Sequence, residues 1–165
     1  MSEPTRDEGV DKIREIIKDI RIAMLVTLDE QGRPRSRPMA TQQTPFDGTL
    51  WFFTAAESPK VSDIGRNTRV NVAYASASAA SYLSMSGEAE VLNDREKIRE
   101  LWNPFLRAWF DDAEDPSIRL VRVSVEEAEY WDTPGGKVAS LLSMAKAALT
   151  GTGSDMSSNN QTVRF

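Results

Sequence analysis

Between Val10 and Ile20 the apolar residues return every three or four positions, at Val10, Ile13, Ile16, Ile17 and Ile20. That period predicts an amphipathic helix from Asp7, with an isoleucine stripe on the core and Lys12, Arg14, Glu15 and Lys18 toward water. The period then changes. Ile22–Leu28 (IAMLVTL) is a short apolar run and predicts a strand covered on both faces. Asp29 to Arg33, with Gly32, turns the chain into a second strand over 34–44. There Arg35, Arg37, Met39, Thr41 and Gln43 share one face, and Ser36, Pro38, Ala40 and Gln42 share the other. Neither set is plainly hydrophobic. Pro38 donates no ladder bond, so this strand is expected at a sheet edge or a bulge. A ligand-lined wall and an ordinary edge strand both fit that pattern.

The Asp47-Gly48 pair predicts a hairpin turn into a third strand, Leu50–Thr54. Ser58, Pro59 and Lys60 then open a short helix to Arg66, with Ser58 as N-cap and Pro59 in the first helical position. Alternation predicts strands at Val70–Ala75 and Tyr82–Asn93, separated by the loop Ser76–Ser81 (SASAAS). In the second of these, Leu83, Met85, Ala89 and Val91 share one side, and mid-strand Gly87 calls for a bulge or a barrel corner. Asp94 caps a helix to about Trp102. Asn103-Pro104 interrupts the stripe Ile98, Leu101, Trp102, Phe105, Leu106, Trp109 and restarts it as a second short helix. Ile118–Val125 is β-branched and predicts a strand running on to Trp131. Thr133-Pro134-Gly135-Gly136 breaks it, and a last helix is expected at Lys137–Leu149. The polar stretch after Gly151 reads as a tail in which Thr162–Phe165 has the composition to dock as a final strand. The expected architecture is mainly β with flanking helices, a small six-stranded antiparallel barrel. The expected division is a flexible N-terminus at 1–6, one domain at 7–150 and a flexible tail at 151–165.

Composition narrows the chemistry. The 165 residues carry a net charge of −5, which argues against general nucleic-acid binding. No apolar run approaches the ~20 residues that span a bilayer, and the N-terminus has no signal-peptide pattern, so a cytoplasmic protein is expected. Cysteine and histidine are both absent. That removes disulfides, thiol nucleophiles, Ser-His-Asp catalysis and the usual zinc sites, and no metal site is expected. Chemistry must then come from carboxylates, lysine, arginine, hydroxyls or a cofactor.

Lys60 stands out on this ground. A cation in a first helical turn faces the positive end of the helix dipole, where an acidic residue is preferred. Either an anion occupies the same place, held by helix N–H groups and the ammonium, or Lys60 is an exposed lysine that tolerates the field.

The motifs in order resemble the FMN-binding split barrels related to pyridoxamine 5'-phosphate oxidase, and more narrowly their general-stress-protein branch. Gly32–Met39 (GRPRSRPM) is similar to the family's G-x-P-x-x-R strand. Leu50–Thr54 with Ser58–Ile64 resembles its strand and phosphate-binding helix. Asn67–Tyr74 and Tyr82–Ala89 resemble the next two strands, and Asn103–Phe110 and Glu127–Asp132 the branch signatures. The resemblance implies FMN, with FAD as the alternative, bound at the two-fold interface of a homodimer. Lys60 with Ser58 would bind the phosphate, and Arg37 would reach the phosphate or ribityl region. Main chain at Pro38, Met39 and Ala40 would run along the isoalloxazine, and Phe53 and Thr54 would line the phosphate side. Tyr82, Trp109 and Trp131 are the candidate aromatic wall, each with core or dimer packing as the alternative role. No residue presents itself as a catalytic acid or base. The implied function is a flavin-dependent oxidoreductase with an unassigned small-molecule substrate, or a stress protein that binds flavin without turnover. A deazaflavin-binding relative and a structural dimerisation module are the remaining alternatives. Pyridoxamine 5'-phosphate oxidase activity itself is disfavoured. That enzyme's C-terminal arginine-and-histidine motif has no counterpart in a chain without histidine, and Pro59 and Gln42 stand where it has further basic residues.

Overall fold

The computed structural model describes residues 5–42, 44–132 and 159–165. Gln43, the break at Thr133–Gly136 and the helix expected at Lys137–Leu149 lie outside them. Helix α1 (Arg6–Ile17) starts at a reciprocal cap. Thr5 Oγ1 accepts from the Glu8 N–H, and the Glu8 carboxylate accepts from the Thr5 N–H at 2.9 Å. Its stripe packs as the spacing predicts, with Ile13, Ile16, Ile17 and Ile20 all buried. The polar face is less free than expected. Lys12 pairs with Asp132, and Arg14 Nε donates to the Phe46 carbonyl at 2.7 Å.

Strands β1 (Ile22–Leu28), β2 (Pro34–Ala40), β3 (Thr49–Ala55), β4 (Arg69–Ser76), β5 (Ser81–Leu92), β6 (Ile118–Asp132) and β7 (Asn159–Arg164) form one antiparallel sheet. Its order is β2-β1-β4-β5-β6-β3, with β7 also paired to β6. The curled sheet is not closed, because β2 and β3 do not pair. The hairpin expected from Asp47-Gly48 is therefore incorrect. The turn itself is present: Gly48 has φ +109°, and Asp47 Oδ1 accepts from the Thr49 N–H at 3.0 Å. It links the two edges of a split barrel, since β2 pairs with β1 and β3 pairs with β6. The edge position of β2 agrees with Pro38, which has no N–H to give a further strand.

β1 alternates instead of being covered on both faces. Ala23, Leu25 and Thr27 point inward, while Ile22 and Met24 are exposed. The pairing of β5 with β6 shifts register between Ser86 and Gly87, the expected bulge. A Cβ at Gly87 would stand 2.0 Å from the Ser124 carbonyl oxygen, so only glycine allows that approach.

The core is in two parts. The larger fills the barrel under α1. The smaller joins Phe53, Leu120 and Ile118 of the sheet to Ile98 and Leu101 of α3 (Arg95–Leu101), and to Leu106 and Phe110 around a short 3-10 helix, Pro104–Ala108. Asp94 caps α3 as expected, by accepting from the Lys97 N–H at 3.0 Å. The second short helix is 3-10, and the predicted stripe breaks there. Leu106 is buried, whereas Phe105 and Trp109 are 51% and 57% exposed.

Candidate functional site

The open seam between β2 and β3 holds a cleft of about 480 Å³. Met39 and Ala40 of β2, with Pro38 and Ile22, form one wall; Phe53, Thr54 and Ala55 of β3 form the other. Leu106, Trp109 and Phe110 close one side, and Ser58 and Lys60 stand at the start of α2 (Pro59–Arg66). Most of this lining is apolar. Among the described residues Lys60 is its one charge.

Ser58 occupies the N-cap position, but its side chain makes no cap bond. Its hydroxyl oxygen accepts from Lys60 Nζ at 2.6 Å, and Thr54 Oγ1 accepts from the same ammonium at 3.1 Å. The lysine has therefore taken the oxygen that helix N–H groups would otherwise use. Among the described residues no carboxylate pairs with Lys60. Burial first, and then the nearby Arg37 charge, hold its pKa below the usual lysine range. A half-buried ammonium with only hydroxyl partners beside a second cation is a place prepared for an anion.

Arg37 sits behind Lys60 on the inward face of β2. Its guanidinium donates to Thr27 Oγ1 at 2.5 Å and to Asp63 Oδ2 at 3.4 Å. The Thr27 hydroxyl in turn donates to the same Asp63 oxygen at 2.9 Å, and Arg66 reaches Asp63 Oδ1 at 3.3 Å. Asp63 is only 5% exposed.

Of the residues singled out from sequence, Pro38, Met39, Ala40, Phe53, Thr54, Ser58, Lys60 and Trp109 come together around this cleft, with Arg37 beside it. Tyr82 and Trp131 do not join them. They face each other across the β5–β6 pair, away from the cleft of the same chain. Gln42 lies beyond the end of β2, which stops at Ala40 and not at Thr44. Its amide donates to the Ala40 carbonyl at 3.3 Å and accepts from Asn103 Nδ2 at 3.1 Å, tying the β2 wall to the segment that carries Trp109. Ile22, Ala55, Leu106 and Phe110 also line the cleft, and Thr27 and Asp63 support it through Arg37, though the sequence pattern singles out none of them. One signal was available. Thr27 falls on the inward parity of an apolar strand, where a hydroxyl needs a buried partner.

An open antiparallel barrel with a cation-bearing cleft on its seam defines the split-barrel class. Residues 8–155 match the family described as pyridoxamine 5'-phosphate oxidase like, and the chain belongs to it. The general stress protein 26 of Bacillus anthracis str. Sterne has the same fold, at a TM-score of 0.67 and 27% identity. That match covers 74% of this chain and 92% of the other. The general stress FMN/FAD binding protein of Xanthomonas citri matches at a TM-score of 0.67 and 29% identity, over 79% and 92% of the two chains. Protein bli-3 of Neurospora crassa is 28% identical over 156 residues, which is 88% of this chain and 75% of that protein.

Proposed function

We propose that this protein binds flavin, FMN in the first place and FAD as the alternative, in the cleft between β2 and β3. The observation that carries this reading is Lys60: a half-buried ammonium with no carboxylate partner among the described residues, at the mouth of an apolar cleft. The residues fit the group. Lys60, Ser58 and Thr54 would hold the phosphate, with Arg37 adding charge behind them. Pro38, Met39 and Ala40 would lie along the ring system, facing Phe53, and Trp109 would flank it. Bound flavin supplies the electron-transfer chemistry that a chain without histidine or cysteine cannot supply from its own side chains. The similarity to an FMN/FAD binding general stress protein supports the same reading.

The second part of the proposal is a homodimer with the flavin at the interface. Ala40 pairs with Ile22 and Pro38 with Met24; next along the sheet come Ala73, Ser84 and the Tyr82–Trp131 pair. These positions of the outward face, Pro38, Ala40, Ile22, Met24, Ala73, Ser84 and Tyr82, carry no charge, and Ile22, Met24 and Tyr82 are exposed on it. β1 and β5 are two strand spacings apart, ~10 Å, so Tyr82 and Trp131 serve the cleft of a second copy packed face to face. The implied activity is a flavin-dependent oxidoreductase acting inside the cell on a small molecule. Oxidation of pyridoxamine phosphate is disfavoured, since histidine is absent and Gln42 is turned to Asn103.

The test is a fluorescence titration of the purified protein with FMN, FAD and pyridoxal phosphate, repeated on Lys60→Ala. Saturable quenching by FMN that weakens at least ~tenfold in the variant, about 1.4 kcal/mol, supports the site. Absence of quenching by either flavin refutes it. Oxidation of NAD(P)H under air by the flavin-loaded protein then separates a turning-over enzyme from a flavin-sequestering protein.

A further inference from the structure

Asp63 is an unexpected residue to find under an anion site. It is buried, it lies three residues after Lys60 in α2, and its charge is opposite to the one a phosphate calls for. Both of its oxygens are engaged. Oδ2 accepts from the Thr27 hydroxyl at 2.9 Å and from Arg37 at 3.4 Å; Oδ1 accepts from Arg66 at 3.3 Å. Thr27 completes a triangle, because the oxygen that donates to Asp63 accepts from Arg37 Nη1 at 2.5 Å. Three elements meet at these atoms: β1 brings Thr27, β2 brings Arg37 and α2 brings Asp63.

A free arginine carries large rotamer entropy, and holding it still is what makes its planar fork a selective anion ligand. Arg37 is on an edge strand, where no further strand pins it. Two acceptors, Thr27 fixed in β1 and Asp63 fixed in α2, do so in its place. We propose that Asp63, acting through Thr27, is the positioning residue that presets the Arg37 guanidinium beside Lys60 for the flavin phosphate. This rests on the flavin reading above. It goes further in assigning the arrangement of Arg37 to two buried residues that never touch the ligand.

A positioning role and a charge role predict opposite signs. If Asp63 acted only through its field, removing the negative charge would strengthen phosphate binding. If it positions Arg37, removing it weakens phosphate binding despite the gain in positive potential.

The experiment compares FMN with riboflavin, which lacks the phosphate, by fluorescence titration of the full chain. The variants are Asp63→Asn, Thr27→Val and Thr27→Ser, each checked for folding by thermal melt. Asp63→Asn and Thr27→Val are expected to lower FMN affinity at least ~tenfold while riboflavin stays within about twofold. Thr27→Ser keeps the hydroxyl and restores FMN affinity. Unchanged or tighter FMN binding in folded Asp63→Asn overturns the proposal, as does a parallel loss of both flavins. If the native protein binds neither flavin, the flavin reading has failed by itself. The positioning claim is then decided by the Nε–Hε NMR signal of Arg37, assigned by its loss in Arg37→Lys. A sharp native signal that broadens in Asp63→Asn supports it; one that stays sharp overturns it.

Discussion

Arg35 and Arg37 are neighbours on the same face of β2, yet their carboxylate partners place them in different kinds of site. Arg35 leans out to Asp29 in the β1–β2 turn, where Arg33 joins it, with N···O distances of 3.0 and 2.9 Å. The Asp29 carboxylate also accepts the Arg33 and Gln31 N–H groups, each at 2.9 Å. Everything in that cluster is satisfied locally, which is how a turn is built. Arg37 points inward to a buried carboxylate, and beyond it lies Lys60, which has hydroxyl partners and no counter-charge among the described residues. In the turn every cation has a carboxylate partner; in the seam Lys60 has none among the described residues. An uncompensated, half-buried charge costs folding free energy, so its place in the structure points to a ligand that completes it.

The largest effect that would break this comparison is at Lys60. Lys60→Met is expected to weaken FMN by ~100-fold, in line with the roughly 1.5–3 kcal/mol of a hydrogen bond to a charged group. Riboflavin affinity should change little. The same substitution should stabilise the ligand-free protein, because it removes a cation that folding desolvates. A gain of about 1 kcal/mol would raise the melting temperature by ~2–4 °C. A melt of native and variant protein with and without FMN reads both effects, and a destabilised ligand-free variant would contradict the idea of an unsatisfied charge.

Next in size is the arginine pair itself. Arg37→Ala leaves Asp63 buried with Arg66 and Thr27 alone, and an expected loss of ~2 kcal/mol follows from uncovering a buried charge. Arg35→Ala breaks an exposed pair and is expected to cost under ~0.5 kcal/mol. Urea unfolding of the two variants compares them directly. Equal losses would mean that the two arginines do the same structural work.

Lys60 was legible in the sequence because a cation in a first helical turn contradicts the dipole, and a local contradiction survives folding. The strands were legible for a similar reason, since period-two alternation is a local property. What failed was non-local or depended on competition. Asp47-Gly48 encodes a turn but cannot say which strand β3 will join, and its partner is β6, far along the chain. Ser58 has the right identity for a cap, yet its oxygen is taken by an ammonium two residues on. Trp109 belongs to an apolar stripe in sequence, but the 3-10 geometry after Pro104 rotates it to the cleft and into an edge-to-face contact with Phe105, centroids 5.3 Å apart. Asp63 was invisible because nothing nearby in sequence reveals that its partners come from β1 and β2.

The third effect is on pH. Burial and Arg37 lower the Lys60 pKa, so the ammonium is lost below the usual 10.5 in the ligand-free protein. FMN phosphate favours the charged form, and FMN affinity should fall as pH rises through that lowered value. The FMN-to-riboflavin affinity ratio isolates the phosphate from ionisation of the ring. A ratio that stays flat up to the usual lysine range would show that Lys60 does not contact the phosphate.

The smallest effect belongs to the satisfied cluster, and it appears at the opposite end of the scale. The Arg33 N–H first, and then the Arg35 and Arg33 guanidiniums, hold the Asp29 carboxyl well below its usual value. A depressed acid binds its proton more readily in the unfolded chain, so its contribution is complete above the unfolded value of about 3.8 and fades as pH falls below it. Asp29→Asn should therefore lower stability slightly at neutral pH and flatten the acid limb of the stability curve. It should leave the alkaline limb and FMN affinity unchanged. Lys60→Met should do the reverse: stability gained at neutral pH, where the folded chain pays for a desolvated ammonium, and an alkaline limb from which the rise toward 10.5 has gone. Melts from acid to alkaline pH on both variants distinguish the two clusters. If Asp29→Asn moved the alkaline limb or FMN binding, the turn and the seam would be one electrostatic unit, and the division between them would be wrong.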